Sequence, residues 1–156
     1  MIFIRPAQST ETVELASLIA ETNNAEAWDE DALARLVEGR SSGVMVARRA
    51  ESGPGAPTGG RALAGFSLWS SVKDESELLL IGVSPERRRH GLGGRLLRGA
   101  MVQAVAVGAR AMFLEVSTAN DAAKALYFAN GFQAVGVRPN YYGEGADASI
   151  LRAALC

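Results

Sequence analysis

The chain has very few of the side chains from which disulfides and metal centres are built. Its 156 residues include one cysteine, Cys156, and one histidine, His90. Two such residues cannot form a disulfide framework, and they argue strongly against a zinc or iron–sulfur centre. We therefore expect no metal.

Long apolar runs and a large excess of one charge are also missing. No uncharged stretch approaches the ~20 residues that a membrane span needs, and the N-terminus lacks the basic and apolar regions of a signal peptide. The formal net charge is −1, so we expect neither nucleic acid nor a membrane as partner. With 48% hydrophobic residues, the length predicts one globular domain over residues 1–156, located in the cytosol.

Hydrophobic periodicity alternates between strand and helix patterns along the chain. Strand patterns cover residues 2–5, 44–48, 62–69, 77–83, 111–116, 132–137 and 148–155, and helical patterns cover 10–22, the segment after Asp29, 92–104 and 120–131. Ser9 or Thr10 is the expected N-cap of the first helix. Residues 51–60 contain six Gly or Pro and predict a flexible hairpin loop. The order of elements predicts an α/β fold with a mixed sheet flanked by helices.

The most informative segment is a basic, glycine-rich run between a strand and a helix, Arg87-Arg-Arg-His-Gly-Leu-Gly-Gly-Arg-Leu-Leu97. Glycines before a helix allow close backbone approach, and the N–H groups of the first turn bind anions. A Walker A loop would need Lys where Arg95 stands, and the dinucleotide fingerprint would need Gly where Leu96 stands. Taken alone, the segment leaves two interpretations open, a phosphate site and a plain loop–helix junction.

A resemblance carried by two ordered motifs favours the phosphate site. The pattern Arg88-x-x-Gly-x-Gly93 resembles the acetyl-CoA signature of the GNAT (Gcn5-related) N-acetyltransferase superfamily, and Asn120-x-x-Ala-x-x-Leu-Tyr-x-x-x-Gly-Phe132 resembles its second motif. Within the superfamily the chain is similar to RimI-type ribosomal-protein alanine N-acetyltransferases. The matching stretches are 81–85, 114–120 and 138–142, and Ala27-Trp28-Asp29 is similar to a family tripeptide near the substrate entrance.

The resemblance implies the GNAT fold, with acetyl-CoA bound as co-substrate in a cleft between the two central parallel strands of a mostly antiparallel sheet. The backbone of Ile81, Gly82 and Val83 would pair with the pantetheine arm as a further strand would. Asn120 would contact the cofactor. The pyrophosphate would lie in the loop formed by Arg88, Arg89, His90, Gly91, Leu92, Gly93 and Gly94.

The resemblance also implies two catalytic roles. Glu115 would be the general base, acting directly or through water, and Tyr127 would be the general acid to the CoA thiolate. From the residues alone, Glu115 could instead be a solvated edge residue and Tyr127 a core aromatic. Glu77 is the alternative base, or a solvent-facing residue at the head of its strand.

The acceptor implied by the resemblance is the N-terminal α-amine of a protein, an alanine-starting ribosomal protein. Trp28, Tyr141 and Tyr142 would line its groove. Two alternatives stay open at this point: a small amine such as an antibiotic, polyamine or amino acid, and a non-catalytic module that binds acyl-CoA. The oligomeric state is equally open, between a monomer and a weak dimer.

Overall fold

The computed structural model describes residues 1–23, 28–50 and 62–156. Over these ranges the chain forms a seven-stranded sheet in the order β1-β2-β3-β4-β5-β7-β6, in which β4 and β5 are parallel and the other neighbours antiparallel. The strands are Ile2–Pro6 (β1), Ser42–Arg49 (β2), Leu63–Val72 (β3), Glu75–Val83 (β4), Ala111–Ser117 (β5), Gln133–Arg138 (β6) and Ala148–Ala154 (β7). The predicted α/β fold with a mixed, mostly antiparallel sheet is confirmed. The loop predicted at 51–60 lies outside the described residues.

The described ranges contain four α-helices, which are Thr12–Asn23 (α1), Glu30–Glu38 (α2), Leu92–Ala106 (α3) and Asp121–Ala129 (α4). Two of them, α2 and α4, begin at a side-chain cap. The Asp29 side chain accepts from the Ala32 amide at 2.7 Å, and Asn120 Oδ1 accepts from the Ala123 amide at 3.1 Å. Gly131, which follows α4, has φ +90°, the left-handed conformation that ends many helices. In the described part of the chain, no helix is long and apolar enough to span a membrane.

The N-cap predicted for the first helix is wrong. Ser9 and Thr10 lie inside a 3-10 turn that leads into α1, and Gln8 is the N-cap of that turn. The Gln8 amide donates to Glu11 Oε1 at 2.9 Å. The Glu11 carboxylate, three residues into the turn, therefore accepts from the amide of the N-cap residue, which is the role of the acidic residue in a capping box.

The two faces of the sheet are covered by different helices. On one face, Leu97 and Ala100 of α3 pack with Leu114 and Leu151 of the sheet. On the other, α1 and α2 pack over β2 and β3 in a second cluster built around Leu15 and Phe66. The predicted helical stripes are buried, with Leu92, Leu96, Leu97, Ala100 and Ala104 on α3 and Leu15, Leu18 and Ile19 on α1.

A β-bulge in β4 separates the two parts of that strand. Leu68 of β3 registers with Leu80, but the next residue, Trp69, registers with Leu78, so that Leu79 is the extra residue. A bulge bends its strand and re-aims the side chains beyond it. Beyond Leu79, Ile81 packs toward the α3 side of the sheet.

Strands β4 and β5 diverge at the centre of the sheet. Their parallel pairing covers three residue pairs, from Glu75 with Ala111 to Glu77 with Phe113. Past these pairs, β4 continues to Val83 along β3, and β5 continues to Ser117 along β7. The sheet therefore opens into a wedge at the carboxyl ends of its two parallel strands.

Candidate active site

A cavity of about 530 Å³ lies between the end of β4 and the beginnings of α3 and α4. Nine of the eleven residues predicted to hold the cofactor line it: Ile81, Gly82, Val83, Arg88, Arg89, Gly91, Leu92, Gly93 and Gly94. Sequence reasoning missed four further lining residues, Thr22, Arg87, Ala122 and Leu126. The glycine-rich motif therefore lies beside the opening between β4 and β5.

The backbone at the start of α3 is what makes this wall suitable for an anion. Gly91 is the N-cap with φ +76°, a conformation that favours glycine. A Cβ on Gly93 would lie 3.3 Å from Leu126 Cδ2, so glycine lets α3 begin close to α4. The first N–H groups of any α-helix have no carbonyl partner within the helix, and the first residues of α3, Leu92, Gly93 and Gly94, line this cavity, so such groups are available to an anion there.

Three consecutive arginines, Arg87, Arg88 and Arg89, give this cavity a positive wall. Arg88 folds back so that its Nε donates to the Val83 carbonyl at 3.1 Å. Arg89 adopts φ +68°, which is uncommon for a residue with a side chain. Arginine guanidinium groups beside free amides bind phosphate through charge-assisted hydrogen bonds, so the cavity fits an elongated ligand that carries phosphate groups.

Two predicted cofactor residues lie away from the lining of this cavity. His90 is exposed at the tip of the loop, and the Asn120 side chain caps α4 through its Oδ1. The capping contact orients Asn120 at the helix start, beside the lining residue Ala122.

A second cavity, of about 290 Å³, lies at the paired ends of β4 and β5. Glu77 of β4, Glu115 of β5 and Arg138 of β6 are among its lining residues. Arg138 Nε lies 3.1 Å from Glu115 Oε1, and the Glu115 side chain is only 17% exposed. Glu115 is therefore a largely buried, ion-paired carboxylate, and the solvated-edge interpretation does not describe it.

Two tyrosines of the β6–β7 loop lie beside Glu115. Tyr141 and Tyr142 pack edge to face, with ring centroids 4.9 Å apart, and both are about half exposed. A hydrogen bond to Glu115 raises the pKa of Tyr141. Burial, followed by the Glu115 charge, raises the pKa of Tyr142.

Glu77 is the second carboxylate at this point. It is exposed, as the solvent-facing interpretation expected, yet it lines the same cavity as Glu115. Partial burial and then the nearby Glu115 charge raise the pKa of Glu77, while the Arg138 charge opposes that rise. Two carboxylates and one guanidinium therefore interact electrostatically in this cavity.

Tyr127 lies on the other face of the sheet from Glu115. Its ring is 6% exposed and packs in the α3–α4 core, 5.8 Å from the Phe132 ring. Burial, with a smaller contribution from Tyr142, raises the pKa of Tyr127 to about 12. Tyr142 thus lies within electrostatic range of both Tyr127 and Glu115, and Tyr127 is a core aromatic whose phenol keeps its proton at neutral pH.

Comparison with known families decides the family of this chain. Residues 12–132 match the model of the acetyltransferase (GNAT) family. The chain belongs to the GNAT family. The resemblance inferred from the two motifs is confirmed, and the wedge between β4 and β5 is the feature of the GNAT sheet that the motifs implied.

Relatives of this GNAT chain include N-alpha-acetyltransferase RimI of Mycobacterium tuberculosis. The two are 44% identical over 102 residues, and the matched segment covers 63% of each chain. The crystal structure of the ribosomal-protein-S18-alanine N-acetyltransferase from Escherichia coli superposes with a TM-score of 0.79 at 27% identity, covering 99% of this chain and 94% of that one. A Salmonella typhimurium acetyltransferase solved with its cofactor acetyl-CoA shares the fold, with a TM-score of 0.78 at 18% identity and coverage of 100% and 95%.

Other predicted residues of this GNAT domain fall in different places. Trp28, predicted at the acceptor groove, is partly buried against the α1–α2 core cluster. Cys156 is exposed with a free thiol. Over the described ranges, no group of three or more His, Cys, Asp or Glu side chains is placed to hold a metal ion.

Sequence reasoning missed Arg138 as a site residue. It was noted only as the first residue of a stretch similar to RimI-type enzymes. Its contact with Glu115 crosses β7, because β7 lies between β5 and β6 in the sheet. The available signal was a single arginine at the end of an otherwise uncharged strand, next to two tyrosines.

Proposed function

We propose that this chain transfers an acetyl group from acetyl-CoA to the N-terminal α-amine of a protein, an alanine-starting ribosomal protein of the S18 type. The observation that carries the proposal is the largely buried Glu115 carboxylate in the second cavity, with the buried, protonated Tyr127 phenol in the core on the opposite face of the sheet.

Donor binding is assigned to the first cavity. When bound, acetyl-CoA supplies an activated acyl group on a thioester. The backbone of Ile81, Gly82 and Val83 would hold the pantetheine arm as an added strand. The first-turn amides of α3 and the arginines at the cavity wall would hold the pyrophosphate. Asn120 would contact the arm from the start of α4.

The acceptor amine must lose a proton before it can attack. Glu115 lies on the floor of the second cavity and would accept that proton, directly or through one water. Glu77, on the neighbouring strand, adds negative charge that favours binding of an ammonium group. The Tyr141 and Tyr142 rings would flank the acceptor chain at the mouth.

The departing thiolate must be neutralised. Tyr127 would donate to the sulfur from the α4 side of the wedge. Burial raises the pKa of Tyr127 to about 12, so the phenol carries its proton at neutral pH and would act as a hydrogen-bond donor to the sulfur as negative charge develops there.

A protein N-terminus is the acceptor class best supported. The relatives named above act on N-terminal amines according to their names. The half-exposed Tyr141–Tyr142 pair offers an aromatic surface beside Glu115, which fits an extended peptide better than a compact amine. The cytosolic location and the single domain over residues 1–156 stay predictions.

Turnover of a short synthetic peptide with a free N-terminal alanine tests the proposal. Purified protein is given acetyl-CoA with this peptide, with spermidine or with kanamycin, and product masses and free CoA are measured. We expect turnover with the peptide and little with the two small amines. Turnover confined to the small amines would contradict the N-terminal assignment while retaining the acetyltransferase chemistry.

The catalytic assignment is tested in the same assay with Glu115→Gln and Tyr127→Phe. Each is expected to lower kcat by about 100-fold, the usual scale for loss of a proton-transferring group. Glu38→Gln, which changes an exposed carboxylate at the end of α2, is the matched control. Near-normal kcat in either site variant would remove that residue from the mechanism.

A further inference from the structure

Arg138 contacts the proposed base and an acceptor-site ring at the same time. It is the last residue of β6, directly before the loop that carries Tyr141 and Tyr142. Its Nε lies 3.1 Å from Glu115 Oε1, and its guanidinium carbon lies 5.7 Å from the centre of the Tyr141 ring. Nothing in the proposed chemistry uses this arginine.

The groups around Glu115 make Arg138 its counter-ion. Glu77 faces Glu115 from β4, and Tyr141 and Tyr142 face it from the β6–β7 loop. Glu77 is a second carboxylate and the tyrosines are phenols, so among these neighbours of Glu115 the positive charge is that of Arg138. The ammonium of an acceptor carries the same charge and needs the same carboxylate oxygens. Arg138 and the acceptor ammonium therefore compete for Glu115.

We propose that Arg138 is a positioning residue. It pairs with Glu115 where the acceptor ammonium would bind, leaves when the ammonium arrives, and pairs with Glu115 again after acetyl transfer. The inference rests on the proposed function, because it needs Glu115 to receive the amine. Acetylation converts a cationic amine into a neutral amide, which has no attraction for a carboxylate comparable to that of a guanidinium. Arg138 thus competes with the substrate and not with the product.

The exposure of the pair makes the exchange feasible. Arg138 is 57% exposed while Glu115 is 17% exposed, so the guanidinium can swing into solvent while the carboxylate stays in place. Solvent screens the exposed guanidinium, which limits the net free energy that its pair with Glu115 contributes. An ammonium held by the rest of the groove can therefore displace Arg138, and the displacement weakens acceptor binding only modestly.

The experiment compares binding of two forms of one peptide, with a free N-terminal alanine and with the same alanine acetylated. Titration calorimetry on CoA-saturated protein gives both dissociation constants, and turnover is measured in parallel. The variants are Arg138→Gln, Arg138→Lys and, as the matched control, Arg152→Gln. Arg152 lies on neighbouring β7 with its guanidinium carbon 5.9 Å from the centre of the Phe113 ring, so its removal deletes the same charge beside a similar ring.

We expect Arg138→Gln to tighten binding of the free-amine peptide by about two- to fivefold, the scale of an exposed ion pair, with no change for the acetylated peptide. Arg138→Lys keeps the charge and should bind close to wild type, as should Arg152→Gln. A purely structural role would change both peptides together.

Three results would overturn the inference. Weaker or unchanged binding of the free-amine peptide to Arg138→Gln would show that Arg138 does not compete for Glu115. A parallel tightening of both peptides would show a general opening of the groove. Failure of the wild-type protein to acetylate the peptide would contradict the proposed function itself, and this inference with it.

Discussion

The phenol of Tyr127 should make the protein lose stability at alkaline pH in a way that Tyr127→Phe does not. Burial raises the pKa of Tyr127 from 10.0 to about 12. Between these values the folded chain holds a proton that the unfolded chain has released. Since stability falls with rising pH wherever the folded state binds more protons, this contribution is complete below pH 10 and is lost as pH rises toward 12.

The size of the effect follows from the shift. One pKa unit corresponds to about 1.4 kcal/mol, so the phenol contributes about 2.7 kcal/mol in total. At pH 11, midway through the shift, the loss relative to pH 8 is about 1.4 kcal/mol. The other ionisable groups are common to wild type and variant, so the difference between the two proteins reports Tyr127 together with its smaller coupling to Tyr142.

Urea unfolding followed by far-UV circular dichroism at pH 8 and pH 11 measures the effect. The stability of wild type relative to Tyr127→Phe should fall by about 1.4 kcal/mol between the two pH values. Tyr141→Phe is the control: Tyr141 is half exposed, so solvent screening should leave a much smaller change. A change below about 0.3 kcal/mol for Tyr127→Phe, which is within ordinary additivity error, would refute the argument that the phenol is shielded from water.

Two further predictions concern the start of α1 and the cofactor cavity. Burial raises the pKa of Glu11, but hydrogen bonds from Arg5 and the Gln8 amide outweigh burial, so the pKa is lowered overall. The stability that the ionised carboxylate contributes is therefore present at neutral pH and is lost as pH falls. Glu11→Gln should therefore lower the free energy of unfolding by about 2 kcal/mol at pH 7 and by much less at pH 3, in urea titrations; an equal loss at both would contradict this ionic role. Gly93→Val should raise the KM for acetyl-CoA about tenfold with little change in kcat, because the added methyl groups crowd Leu126 at the cavity wall; an unchanged KM would place the donor elsewhere.

Much of the fold could be predicted from the sequence because its signals are local. The apolar stripe of α3, the Asp29 and Asn120 caps and Gly131 after α4 each depend on residues a few positions apart. The cap of the first helix could not be predicted in this way. It involves Glu11, whose carboxylate binds the nearby Gln8 amide and Arg5 and also Arg48 of β2, which is 2.7 Å away and 37 residues along the chain.

The candidate site also has one part that local sequence patterns predict and one part that they do not. The glycine-rich wall of the first cavity is one continuous segment, so six of the residues that line the cavity, Arg88, Arg89, Gly91, Leu92, Gly93 and Gly94, come from one local motif. The surroundings of Glu115 come from β4, β5, β6 and the loop after β6. Neither the bulge at Leu79 nor the Arg138 contact leaves a local pattern, because both arise from how separate strands register with each other.

The wedge has a consequence for how the domain holds together. Over the described residues, the backbone ladder that joins β1–β4 to β5–β7–β6 consists of the three residue pairs from Glu75 to Glu77. The two halves are also joined by hydrogen bonds from the Arg110 amide to the Asp74 carbonyl and from Ser76 Oγ to the Ala111 carbonyl, and by side-chain packing beneath α3 and α4. A donor whose arm lies along β4 would act as a spacer that bridges both halves, and it would extend the ladder where the polypeptide itself stops. Bound in this way, the donor would couple cofactor binding to the continuity of the sheet, and the two halves would be joined most firmly in the complex that is ready to receive an acceptor.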